Sequence, residues 1–208
     1  MLYHRPIVEA AGRSFAWWLT HFVYKINASY SDRMVDVFEQ GCFVLANHQK
    51  WVDLVFEGQA IYDAFDCHPL YIMRDTLPFQ DLFAAAGGVP MTRQRDLPER
   101  LANDKPVHRP RDVFPYLVEH VKDRGVVVIH PEGTRHPEQG VDTEKCMMAL
   151  THYSRKASIR PWYVPLNITY DRGILGSRVK LDFGTPLKTE QVDTLLKHMQ
   201  DQIPLLHT

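Results

Sequence analysis

The 208 residues hold only three cysteines, Cys42, Cys67 and Cys146, and no CxxC spacing. An odd number cannot pair off completely within one chain, so no disulfide framework is expected and a reducing compartment is the simplest setting. An excess of charge of one sign is missing too: 24 Lys+Arg stand against 25 Asp+Glu, a formal net charge of -1. That balance leaves no basic field of the kind that attracts phosphodiesters, and a nucleic-acid partner is not expected. No stretch approaches the roughly 20 apolar residues that cross a bilayer. The N-terminus, MLYHRPIVEAAGR, lacks the long apolar core and small-residue cleavage site of a secretory signal. A cytoplasmic chain that does not span the membrane is the expectation. Internal repeats and low-complexity segments are absent, and so are HExxH and GxSxG, the usual marks of a zinc hydrolase and of a serine hydrolase.

What is present is 45% hydrophobic residues, enough to bury one sizeable core. One domain over 31–208, preceded by a short appendage over 1–30, is the default organisation. In the appendage Ile7, Val8, Ala11, Phe15, Trp18, Leu19, Phe22 and Ile26 recur at helical spacing and form one apolar stripe, with Arg13 and Lys25 nearby. An amphipathic helix of this composition can lie in a membrane interface through Phe15, Trp18, Leu19 and Phe22. The alternative is that the stripe packs on the protein's own core.

Beyond the appendage, strand and helix patterns alternate. Cys42 to Ala46 (CFVLA), Leu70 to Met73, Gly125 to Ile129 (GVVVI), Trp162 to Ile168 and Arg178 to Phe183 read as strands. Asp53 to Phe65, Phe79 to Ala86, Val113 to Val121, Glu144 to Lys156 and Thr189 to Gln202 read as helices, the last capped near Thr189. This order predicts a mixed α/β fold with a central, largely parallel sheet flanked by helices. In such a sheet, ligand sites gather at the carboxyl ends of strands. Gln94 to Arg111 is polar and broken by Pro98, Pro106 and Pro110, which reads as a long surface loop, either a lid or a variable connection.

Four strings carry chemistry. Asn47-His48-Gln49-Lys50-Trp51-Val52-Asp53 falls where the first strand ends and a helix begins. An imidazole at a strand end projects into a cleft, and a carboxylate on the first helical turn can accept its Nδ1–H, fix the tautomer and stabilise the imidazolium. That is the base and orienter of a triad without the serine, and it suffices if the substrate brings its own hydroxyl. Ile129-His130-Pro131-Glu132-Gly133-Thr134-Arg135 follows a strong strand with a turn whose backbone N–H groups and guanidinium suit a phosphate. Gly87 to Arg93 places a second Arg just after a short strand, and Tyr163 to Asn167 puts Pro165 in an apolar strand, which suits an edge or a sheet end. A metal hydrolase built on His48, Asp53 and His130 is a rival reading, without the usual ligand spacing to support it.

These four strings resemble the four motif blocks of the glycerolipid acyltransferase family that includes lysophosphatidic acid acyltransferase. Asn47, His48 and Asp53 match the first block (HX4D), Pro131 to Arg135 the third (Pro-Glu-Gly-Thr-Arg), Arg93 the end of the second and Pro165 the centre of the fourth. The resemblance implies an acyltransferase domain on the cytoplasmic face of a membrane. Its donor is acyl-CoA or acyl-carrier protein, its acceptor a phosphate-bearing lysolipid, most simply lysophosphatidate, and no cofactor or metal takes part. It implies that His48 is the general base with Asp53 its partner, and that Arg93, Glu132, Gly133, Thr134 and Arg135 bind the acceptor, with Asn47, Lys50 and Pro165 in support. A lipid-binding module of the same fold without turnover is the non-enzymatic alternative, and a different lysolipid acceptor the enzymatic one. The chain departs from the family pattern at Lys50, commonly Ser, and at His130, commonly aromatic. It departs again at Pro90-Met91-Thr92 and at Lys145-Cys146, where the family often has Lys-Gly. Lys50 can be an anion contact or a solvated lysine, and His130 can join the polar site or be a satisfied histidine at a strand end.

Overall fold

A computed structural model describes residue 14 and residues 24–50, 52–77, 80–132, 143–173 and 176–203. The chain runs β1 (Tyr24–Ser29), α1 (Arg33–Glu39), β2 (Cys42–Ala46), α2 (Asp53–Phe65), β3 (Leu70–Arg74), α3 (Gln80–Ala85) and β4 (Gly88–Met91). A 3-10 turn (Gln94–Asp96) and α4 (Leu97–Ala102) follow, then α5 (Pro110–Lys122), β5 (Val126–Ile129) and α6 (Thr143–Lys156). The chain closes with β6 (Trp162–Gly173), β7 (Gly176–Phe183), β8 (Leu187–Lys188) and α7 (Val192–Gln202). The strands form one sheet in the order β1-β7-β6-β2-β5-β3-β4, with β8 on β6. Pairing is parallel everywhere except β6 with β7 and β6 with β8. This is the mixed, largely parallel α/β sheet expected from the alternation.

The period-two alternation of strand side chains explains why β2 and β5 are apolar at every position. Cys42, Val44 and Ala46 of β2, with Val126 and Val128 of β5, point into one core against Met34, Val37 and Phe38 of α1 and Phe56, Ala60 and Ile61 of α2. Phe43, Leu45, Val127 and Ile129 point into the other, against Phe114 and Leu117 of α5, Met147 and Leu150 of α6, and Leu195 and Met199 of α7. Two core layers therefore sandwich the sheet. The turn into β2 depends on Gly41, whose φ is +83° and where a Cβ would stand 2.4 Å from the Val121 carbonyl oxygen, so no side chain fits there.

Several boundaries differ from expectation. The appendage is not helical to residue 30: Tyr24–Ser29 is a strand paired in parallel with β7, its residues alternating half-buried and exposed. Ile26 thus belongs to a two-residue period, because pairing with β7 satisfies the backbone and overrides the local spacing. Phe15, Trp18, Leu19 and Phe22 lie outside the described residues. Pro165 is not at an edge but stands one residue before the end of the β2–β6 ladder, near the turn that carries His48. It pairs with Leu45 inside the sheet, and its carbonyl, on the opposite side, accepts from Gly184 N–H at 2.8 Å. There the neighbour of β6 changes from β8 to β7, so the missing proline donor costs no ladder bond. The closing helix starts at Val192 rather than Thr189, whose Oγ1 accepts from Gln191 N–H at 3.1 Å just ahead of it.

The expected loop over Gln94 to Arg111 is largely helical. Pro98 falls in the first turn of α4 and Pro110 in the first turn of α5, where a proline breaks no helical hydrogen bond. The segment is held down by Arg100, whose Nε lies 3.0 Å from Asp75 Oδ2 and donates to Pro106 O at 2.7 Å, while Nη1 donates to Asp75 O at 3.0 Å. Arg74 adds two bonds of 3.1 Å to the Asp96 carboxylate. The Asp75 side chain is wholly buried and that of Arg100 nearly so, so removing one partner strands a buried charge. Arg100→Ala is expected to lower unfolding stability by about 3 kcal/mol or more. Lys122→Ala, which breaks only the exposed pair with Glu119, is expected to stay within about 0.5 kcal/mol. Urea midpoints at unchanged slope measure both.

Candidate active site

β2, β5 and β6 lie side by side and parallel, so their carboxyl ends open on one edge of the sheet. The ladder of β2 with β6 ends at Ala46 opposite Leu166. Asn47, 1% exposed, continues it with its side chain: Nδ2 donates to Ile168 O at 2.9 Å, and Oδ1 accepts from Ile168 N–H at 2.6 Å. Gln49 Nε2 donates to the same carbonyl at 2.6 Å. The backbone can then leave the sheet at residue 47 without orphaning polar groups, and the next residue, His48, is delivered to the edge.

His48 Nδ1 lies 3.0 Å from Asp53 Oδ2. Asp53 opens α2, its side chain wholly buried, while that of His48 is 17% exposed. The same Oδ2 accepts from the N–H groups of Gln49 and Lys50, each at 2.7 Å, and Oδ1 accepts from the Tyr170 hydroxyl. Burial alone would raise the Asp53 carboxyl, but the hydrogen bonds from His48, Tyr170, Lys50 and Gln49 outweigh it and hold the group below the usual carboxylate range. An ionised carboxylate only accepts, so the ring proton resides on Nδ1 and Nε2 presents a lone pair. The arrangement can take a proton from a hydroxyl brought to Nε2 and stabilise the resulting imidazolium.

The turn after β5 comes alongside because Leu45 is in register with Ile129. Glu132 Oε2 accepts from the His48 backbone N–H at 3.2 Å, and burial first, then the nearby Asp53 charge, push its carboxyl above the ordinary value. His130 stacks beside His48 and pairs with Glu57 of α2. The Lys50 ammonium, one of the family departures, sits 3.8 Å from the centroid of the Tyr170 ring, a cation–π contact. Arg93 stands just beyond β4, behind Thr92, which donates to Asp75 and accepts from His108 N–H at 2.8 Å. Three strand spacings of about 4.8 Å separate β4 from β2, so Arg93 starts about 14 Å along the edge from the His48 turn. Gly133, Thr134 and Arg135 lie outside the described residues.

Two residues of this site had no place in the sequence reading. Tyr170 is 117 positions from Asp53, and no local pattern announces it. Glu57 did leave a signal: it is a carboxylate four residues after Asp53, on the same helical face. Among the described residues no three His, Cys, Asp or Glu side chains group so as to hold a metal ion. None of the described helices is long and apolar enough to cross a membrane. An open cavity of about 480 Å³ between Gly41, Trp162 and Lys188 lies at the opposite end of the sheet and is lined by no imidazole.

Comparison with known families finds that the model of the family described as Acyltransferase matches residues 23–164, well over half of the chain. That span takes in Asn47, His48, Asp53, Arg93 and the turn after β5, and stops one residue before Pro165. No curated protein matches the chain.

The Tyr170 hydroxyl gives a test of the site's electrostatics. Tyr170→Phe keeps the ring under Lys50 but removes one donor from the ionised Asp53, so the depressed Asp53 value should rise. A carboxyl depressed in the folded state contributes stability above its unfolded value, near 3.9, and loses it as pH falls through the folded one. The variant is therefore expected to lose about 1.5–3 kcal/mol at pH 7. The difference from the parent should shrink towards zero as pH falls from about 5 to below the folded Asp53 value. Denaturant unfolding of both proteins across pH 3–7 checks it, and a pH-independent deficit would contradict it.

Proposed function

The chain belongs to the acyltransferase family, and from that membership we propose that it moves a fatty acyl group from an acyl thioester to the hydroxyl of a phosphate-bearing lysolipid. Acyl-CoA or acyl-carrier protein is the donor, and lysophosphatidate, giving phosphatidate, the first acceptor to test. The observation that carries the reading is the His48–Asp53 pair, 3.0 Å apart with the carboxylate buried, and no serine nucleophile is needed to complete it.

In this reading His48 Nε2 takes the proton of the acceptor hydroxyl as its oxygen attacks the thioester carbonyl. Asp53 holds the ring through Nδ1 and offsets the positive charge that appears on it. The tetrahedral intermediate collapses with cleavage of the C–S bond, and the proton on His48 goes to the departing thiolate. An ester and a free thiol result, with no covalent enzyme intermediate and no cofactor. Arg93 and Arg135, with Glu132, Gly133 and Thr134, hold the acceptor phosphate, and the separation between β4 and β2 leaves room for a substrate to bridge from Arg93 to His48. Phe15, Trp18, Leu19 and Phe22 rest the protein on the cytoplasmic membrane face from which the acceptor comes.

The test is incubation of the purified full chain with a panel of acyl thioesters and lysolipids, the products identified by mass. His48→Ala is expected to abolish transfer, and Asp53→Asn to lower kcat by at least about 10³-fold, because the amide favours the wrong tautomer and cannot balance the imidazolium. Near-normal turnover by the His48 variant would reject the mechanism. Arg93→Ala is expected to raise the acceptor KM about tenfold or more with kcat little changed, as for a contact made equally in ground and transition states. An unchanged KM with lower kcat would reject its role as a phosphate anchor.

A further inference from the structure

Asp53 is not the only acid that α2 sends to this edge of the sheet. Glu57, one helical turn on and on the same face, is wholly buried. Its Oε1 lies 2.8 Å from His130 Nε2, and among the described residues its Oε2 has no hydrogen-bond partner. The β2–β5 ladder ends with Leu45 opposite Ile129, and in the turns just beyond it His130 meets His48, with ring centroids 4.3 Å apart and planes inclined by 31°. Two imidazole–carboxylate pairs, Asp53–His48 and Glu57–His130, thus stand in tandem with their rings in contact.

A buried carboxylate is costly unless a partner compensates its charge. Among the described residues His130 supplies the only side-chain hydrogen bond to Glu57, so a charge on either calls for a charge on the other. Burial opposes a cation at His130, but Glu57, then Asp53 and Glu132, outweigh it and raise the imidazole above the ordinary histidine value. The other groups facing the pair are Tyr71 from β3 and Tyr170 from β6, phenols whose ionisation burial suppresses. The charges around His130 are therefore Glu57 and Asp53 from α2, Glu132 from its own turn, and His48 whenever it is protonated. A cation in contact with the His48 ring disfavours a second proton there.

We propose that His130, anchored by Glu57, is a positioning residue for His48: it seats the ring by stacking and, as the cation of a buried pair, keeps that ring free to accept a proton. This rests on the reading of His48 as the base. Glu57 is hydrogen-bonded to His130 and not to His48, so the cation is the member in contact and its effect outweighs the carboxylate's.

Two measurements test it on the full chain. NMR titration of the unmodified protein, with the ring signals assigned from His48→Ala and His130→Phe spectra, should show a main His48 step and a smaller inflection shared with His130. A single His48 step indifferent to His130 would overturn the proposal, and this arm needs no variant to remain fully stable. In His130→Phe/Glu57→Gln, which retains a ring to stack and strands no buried charge, the His48 titration and the acid limb of kcat/KM should both move up by about one pH unit. A uniform fall in rate with both left in place would overturn the charge role and mark the pair as packing. Substantial turnover in His48→Ala would instead end the reading of His48 as the base while leaving the ring coupling measurable, so the two failures are distinguishable.

Discussion

A single buried carboxylate ties the site together. Asp53 receives hydrogen bonds from the His48 ring, from the N–H groups of Gln49 and Lys50, and from the Tyr170 hydroxyl. These donors come from the turn after β2 and from β6, while Asp53 itself belongs to α2. Taking an ion out of water costs several kcal/mol unless its lone pairs are met, so each donor is a condition on where its segment can lie. The turn over 47–50, the first turn of α2 and the far half of β6 are thereby locked to one another. The orientation of His48 follows from that lock together with the contacts of its ring to Asp53 and His130.

The frame that allows this is the parallel pairing of β2 with β5 and β6. Parallel strands end on the same side, and neighbours stand about 4.8 Å apart. On α2, residues i and i+4 are about 6 Å apart along the axis. One face of one helix can therefore serve two neighbouring strand ends: Asp53 meets the imidazole that follows β2, and Glu57 the imidazole that follows β5. The two rings come together in the turns just past the last paired residues, Leu45 and Ile129. Glu132 closes the same junction by accepting the His48 backbone N–H.

At the other end of the edge, order comes from a second buried charge pair. Asp75 and Arg100, with Thr92 and Arg74–Asp96 around them, pin α4 and the chain leading to α5 onto the ends of β3 and β4. Two of the prolines that read as breakers, Pro98 and Pro110, stand at helix starts instead. A segment held in this way supplies a fixed wall beside Arg93, in place of the free loop that composition suggested.

The sequence by itself determined the class of fold and the two central strings of the site. CFVLA and VVVI are apolar at every position because they are covered on both faces, and that pattern needs no partner to be legible. His48 and Asp53 are five residues apart across a strand-to-helix turn, so their meeting is a local matter, and their hydrogen bond lies where the spacing placed it. The match to the acyltransferase family over residues 23–164 is likewise a property of the string. What only the tertiary structure decided is everything that crosses the chain: the strand character of Tyr24–Ser29, the place of Pro165, the Tyr170 hydroxyl on Asp53, and the pairing of Glu57 with His130. A strand paired to a distant partner has its backbone satisfied from outside, and a side chain 117 residues away leaves no periodicity near the residue it serves. Glu57 lies between these cases: helical spacing alone puts it on the same face as Asp53, but only the register of β2 with β5 supplies the second imidazole that makes its burial tolerable.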